Sequence, residues 1–166
     1  MQASMDIALV RVDNRLVHGQ ILEAWVPFLR ASCIIVVDDA VASDYYCETV
    51  IRMAVPREVD VVICGTKEFA ETHSFHRGSG RKTIVLFSKI SDALMVYRLG
   101  YRFDRLNIGN VYNEKCRLCC TPSVLLSDVD IRDISALHGE GVKIELWRVP
   151  REKPLDFEDV IRCGES

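Results

Sequence analysis

No run in this chain approaches the roughly 18 consecutive apolar residues that a membrane-crossing helix needs. The N-terminus, Met1-Gln2-Ala3-Ser4-Met5-Asp6, has no basic stretch leading into a long apolar one, so no secretory signal is expected. Cationic charge is not in excess. The 21 Lys and Arg face 24 Asp and Glu, and the net charge of −3 argues against a general field for nucleic acid or anionic lipid. The seven cysteines are odd in number and not spaced as a secreted disulfide scaffold. There are no internal repeats. No dinucleotide-type glycine fingerprint follows the first strand. Gly78-Ser79-Gly80-Arg81-Lys82-Thr83 lacks Walker A spacing and precedes a strand rather than following one. These absences point to a cytoplasmic chain with reduced thiols, whose link to any membrane runs through another protein.

What is present is an alternation. Short β-rich runs occur at 7–10, 34–37, 59–63, 83–87, 106–108 and 142–149. Between them lie helical patterns. Ile21, Leu22, Trp25, Phe28 and Leu29 recur at helical spacing. A second helix is expected from Ser43 to Val55, stopped by Pro56, and a third from Ile90 to Leu99, closed by Gly100. Ser127-Asp128-Val129-Asp130 has the form of a capping box, so a fourth should run to about His138. Apolar strands alternating with helices predict a mostly parallel central sheet with helices on both faces. The segment 74–81 reads as an exposed loop. The whole chain, 1–166, is expected to be one α/β domain, with 150–166 as a C-terminal arm.

Ligands of open α/β sheets bind at the carboxyl ends of the strands, so the polar residues after each apolar run are the candidates. Asp38-Asp39 follows the second run, Gly65-Thr66-Lys67 the third, Ser88-Lys89 the fourth, and Asn107-Ile108-Gly109-Asn110 ends the fifth. The richest is the first: Arg11-Val12-Asp13-Asn14-Arg15-Leu16-Val17-His18-Gly19-Gln20. A helix start behind this loop favours an anion, and Arg15 adds a fork of charged donors. Asp13 or Asp38 could hold one imidazole nitrogen of His18 and leave the other to attack. A covalent phosphohistidine requires these parts and little more, because phosphoryl transfer depends mainly on positioning and charge. The bland alternative is a helix-start histidine among surface ion pairs.

The stretch Val10 to Gln20, with Trp25 following, closely resembles the signature of the IIB components of the mannose/fructose/sorbose family of the phosphotransferase system. The likeness continues through Ile35 to Ala42, Ala54-Val55-Pro56, Leu86-Phe87, Asn107 to Asn110, and Gly141 to Pro150. The resemblance implies an antiparallel last strand. It also implies a phosphoryl group carried on His18, taken from a IIA protein and passed to a sugar presented by IIC and IID membrane subunits, with neither metal nor other cofactor. Arg15 would bind phosphate and Asp13 would orient the ring. Arg11, Asn14, Gly19, Gln20, Asp38, Phe87, Asn107, Gly109 and Asn110 would bind phosphate or support those that do. The chain would then be a sugar-transporting phosphotransferase and phosphoprotein, held peripherally at the inner face of the membrane, with room for a homo-oligomer. Arg11, Arg15 and Lys89 would steer an acidic IIA surface. Many relatives carry Asp-Asp where this chain has Asp13-Asn14, so here one charge is lost and an acceptor kept.

Other constellations are weaker. Cys116-Arg117-Leu118-Cys119-Cys120 has CxxC spacing but no second pair for zinc, and its alternation suits a strand with cysteines facing the core. Cys163, His73 and His76 could join it only by tertiary accident. Trp25 and Trp147 read as packing residues. Two rival functions remain: a regulatory phosphoacceptor that passes nothing to sugar, and a small-ligand module without phosphoryl chemistry.

Overall fold

The computed structural model describes residues 6–72 and 81–164, with the side chains of 163 and 164 left aside. His73, His76 and positions 74–80 of the expected loop lie outside the described residues.

The first strand, β1 (Asp6–Asp13), outruns its apolar core by three residues, so Arg11 and Asp13 are strand residues rather than loop residues. It ends in the centre of a seven-stranded sheet, where Val12 pairs with Phe87 and Asp13 with Asn110. It lies between β4 (Lys82–Phe87) and β5 (Arg105–Asn110), with β2 (Cys33–Val37) beyond β4 and β3 (Asp60–Cys64) at the edge. A small antiparallel pair follows, β6 (Leu118–Thr121) with β7 (Val124–Leu126). The main sheet ends with β8 (Lys143–Leu146) and β9 (Leu155–Asp156), giving the order β3-β2-β4-β1-β5-β8-β9. All its neighbours run parallel except β8 with β9. The antiparallel last strand therefore lies within the expected arm, and the long late strand of the sequence pattern is a parallel one.

Side-chain alternation gives the sheet two dry faces, as strand geometry requires. Val12, Ile35, Val37, Val85, Phe87 and Ile108 face one side. There they meet α4 (Thr66–Thr72), α5 (Ile90–Arg98), α6 (Asp128–Gly139) and α7 (Phe157–Gly164). Ile34, Val36, Ile84 and Leu86 face the other. A π-helical turn, Gln20–Trp25, covers that side together with α1 (Val26–Leu29), α2 (Asp39–Ala42) and α3 (Tyr45–Ala54). The helix expected from 43 to 55 is α3, a single piece that Asp44 caps by accepting from the N–H groups of Tyr46 and Cys47, and α2 is a separate short turn before it. The capping box at Ser127 and Asp130 forms with both reciprocal bonds. The arm docks through Phe157, which is buried in the core.

The crossovers decide where a ligand can sit. The connection from β1 passes over one face to β2, and that from β4 passes over the other face, through α5, to β5. Because β1 and β4 are neighbours whose chains leave to opposite faces, their carboxyl ends mark a topological switch point, where ligands of open α/β sheets sit.

Candidate functional site

Asp13 is fully buried at the end of β1. Its carbonyl accepts the N–H of Leu16 at 2.9 Å and its Oδ1 accepts the N–H of Arg15 at 3.0 Å, so the chain turns tightly around the carboxylate. Leu16 takes a left-handed backbone, φ 57°, without being glycine. That conformation costs about 1–2 kcal/mol for an L-residue. Burying a leucine side chain returns about 1.5–3 kcal/mol, and Leu16 is buried beside Ile21 and Trp25. The turn is held by its own apolar anchor, a feature that no motif in the sequence announces.

The turn delivers His18 to Asp13. His18 Nε2 lies 2.8 Å from Asp13 Oδ2. Burial pushes the Asp13 carboxyl upward, but the hydrogen bond with His18 and the charge of Arg11 outweigh it and hold the group below the ordinary carboxylate range. An ionised Asp13 can only accept, so the shared proton sits on Nε2 and the lone pair on Nδ1. Gln20 N–H points at Nδ1 from 3.3 Å. Of the expected pair, then, Asp13 holds the ring and Asp38 does not. Asp38 caps α2 through Val41 N–H at 2.9 Å and takes the Ser88 hydroxyl on its other oxygen.

Arg15 stands at the mouth, its side chain nearly half exposed (46%), with Nε 3.4 Å from Asp13 Oδ1. One terminal nitrogen donates to Gln20 Oε1 at 3.0 Å. Asn14 clamps the rim. Its amide donates to Ser88 carbonyl at 2.6 Å and its oxygen accepts the N–H of Tyr112. An aspartate there could not donate to Ser88, which gives a physical reason for the lost charge. The Asn14 N–H itself bonds the Asn110 carbonyl at 2.9 Å. Gly19 opens the π-helical turn and is exposed. π-turns recur at functional sites because they re-aim backbone groups.

Three expectations need correction. Phe87 supports no phosphate: it is buried on the far face, edge-on to Phe69 at 6.1 Å. Arg11 is fully buried and cannot steer a partner. It bonds Asn107 Oδ1 at 2.9 Å, Asp13 Oδ2 at 3.2 Å, and the carbonyls of Trp147 and Arg148 at 2.6 and 3.1 Å. The cysteine stretch is only partly a core strand. Leu118 and Cys120 pack against the core, with burial pushing the Cys120 thiol up to about 11, while Cys116 and Cys119 are exposed. Among the described residues, no three His, Cys, Asp or Glu side chains gather as metal donors. Trp25 and Trp147 do pack, edge-on at 4.9 Å.

This is an α/β fold with a histidine–carboxylate pair at its switch point, and the known proteins it resembles share one chemistry. Residues 7–166 match the model of the PTS system sorbose subfamily IIB component, and the chain belongs to that family of sugar phosphotransferases. It is 32% identical over 158 residues to the fructose-specific EIIB component of Bacillus subtilis (strain 168), covering 95% of this chain and 97% of that one. It is 26% identical to the mannose-specific EIIAB component of Escherichia coli (strain K12), spanning 49% of that longer protein. The sorbose permease IIB domain from Klebsiella pneumoniae superposes with a TM-score of 0.84 at 28% identity, over 95% of this chain and 97% of the domain.

Proposed function

We propose that the whole chain acts as one phosphocarrier domain with His18 Nδ1 as the phosphoryl acceptor. The observation that carries this reading is the 2.8 Å contact between His18 Nε2 and the buried Asp13, which leaves Nδ1 as the nucleophile. The donor is a phosphohistidine on a IIA protein. The lone pair of Nδ1 forms a bond to phosphorus. The phosphorus–nitrogen bond of the donor breaks, and its electron pair returns to the donor ring. The proton on Nε2 stays in the hydrogen bond to Asp13, so the ring becomes cationic beside an anion. Gln20 N–H and the Arg15 fork are placed to receive phosphate oxygens.

In the second half, a sugar hydroxyl presented by the IIC and IID subunits attacks phosphorus. The bond to Nδ1 breaks, its pair returns to the ring, and the hydroxyl proton leaves to a base of the membrane subunit or to water. Since Nε2 keeps its proton, the leaving group is a neutral imidazole rather than an anion, which favours release. On this reading the chain works at the cytoplasmic side of the membrane through its partners. Among the described residues no helix is long and apolar enough to cross a bilayer.

The test is to incubate the chain with a phosphorylated IIA protein and follow mass and acid lability. Wild type should gain one acid-labile, base-stable phosphoryl group and His18→Ala none. Adding membranes with IIC, IID and sugar should then discharge it. No gain in wild type, with a donor competent on another IIB protein, would defeat the reading.

A further inference from the structure

Arg11 is a charged side chain in a place where an apolar one would cost less. Its guanidinium is fully buried, burial lowers its pKa, and its Nε finds no protein acceptor among the described residues. Buried charge and an unpaired donor both cost stability. The surroundings nevertheless make room for it. A Cβ at position 109 would stand 1.9 Å from Arg11 Cζ, so Gly109 leaves the space that the guanidinium fills. Asn107 turns its oxygen to Arg11 NH1, and its own Nδ2 is left buried without a protein partner. Trp25 lies 5.4 Å below the guanidinium, with its indole N–H on the Arg148 carbonyl that Arg11 also holds.

The consequence lies at Asp13. Arg11 NH2 and His18 Nε2 meet the same carboxylate oxygen, at 3.2 and 2.8 Å, while Oδ1 faces Arg15. A carboxylate held only by the ring and by the Arg15 N–H of the adjoining turn could still tilt about its Cβ–Cγ bond. One pinned to a guanidinium that is itself tied to three other acceptors on β5 and at the end of β8 cannot.

We propose that Arg11, seated by Gly109 and Asn107, is a positioning residue that locks the Asp13 carboxylate and thereby keeps the proton of His18 on Nε2, so that Nδ1 alone is presented to the phosphoryl donor. This rests on the phosphocarrier reading and assigns it a further residue. Arg11 touches neither donor nor phosphate, so it acts on the chemical step and not on docking.

The experiment uses Arg11→Lys and Gly109→Ala, which both keep the buried positive charge but remove the fork or displace it. Wild type at pH 8 should show His18 as the Nε2–H tautomer by ring ¹⁵N shifts. In each variant that signature should become a mixture. The kcat for phosphorylation by phospho-IIA should fall about 100-fold, the scale of a misplaced reacting group, with KM for phospho-IIA and its salt dependence unchanged. A wild-type Nδ1–H tautomer would overturn the proposal without any variant. So would folded variants that keep both the tautomer and kcat, or a loss that falls on KM and salt dependence. Wild type that accepts no phosphate at all fails the phosphocarrier reading instead, so the two failures are distinct.

Discussion

The ends of β1 and β2 carry the same kind of residue and do different work with it. β1 ends in a buried acid, Asp13, and another buried acid, Asp38, follows directly after β2. Asp38 turns inward to the backbone: it caps α2 and takes a hydroxyl from Ser88. Beside it, Asp39 accepts the N–H and hydroxyl of Thr66. Asp13 instead gathers an imidazole, a buried guanidinium and the arginine at the mouth. The difference is topological. The chain leaves β2 directly into a helix whose first turn needs a cap, so the carboxylate is consumed by structure. It leaves β1 through a six-residue turn, Asn14 to Gly19, before the π-helical segment begins, and that turn has room to bring a histidine back. An acid at a strand end is therefore a candidate only when the next helix does not need it.

The sharpest way to break this comparison is to neutralise each acid in turn. Asp13→Asn should slow phosphorylation by phospho-IIA about 100-fold or more, since an amide can turn a donor to Nε2 and no longer fixes the proton there. Asp38→Asn keeps an acceptor for Val41 N–H and should leave the rate within about twofold, because near-isosteric changes away from reacting atoms seldom move a rate further. Rapid-quench time courses on both variants would decide it. Equal losses would mean that the two strand ends form one site.

A smaller effect separates them by pH. The folded Asp13 carboxyl titrates below its ordinary value, so its contribution to stability is complete above about pH 4, the unfolded carboxylate range, and is lost as pH falls through the lowered folded value. Thermal melts from pH 6 downward should therefore show wild type losing stability below about pH 4. Asp13→Asn should begin less stable, with an uncompensated Arg11, and lose less over the same range. Parallel curves for the two proteins would contradict the assigned cause.

Much of this was legible in the chain. The alternation of apolar runs and helical spacings set out the parallel sheet. The stretch from Arg11 to Gln20 stood out as the richest of the strand-end loops, but charged loops are common, and it was the resemblance to the IIB signature, not composition, that singled out His18. Three things were not legible. The apolar run of β1 gave no sign that pairing continues to Asp13, since register depends on partners distant in sequence. Nothing local told that Arg11 would be buried, because its acceptors are carbonyls at 147 and 148, some 136 residues along the chain. Phe87 is the last residue of the apolar run of β4 and sits beside a polar rim. Only the strand alternation sends its ring to the far face, while Ser88, one residue on, reaches Asp38 and Asn14.

The most direct test of the central claim is to phosphorylate chain labelled with ¹⁵N in its histidine rings and read which nitrogen couples to phosphorus. The account predicts one-bond coupling to Nδ1 of His18, with Nε2 still protonated against Asp13. Coupling to Nε2, or to any nitrogen other than those of His18, would contradict it.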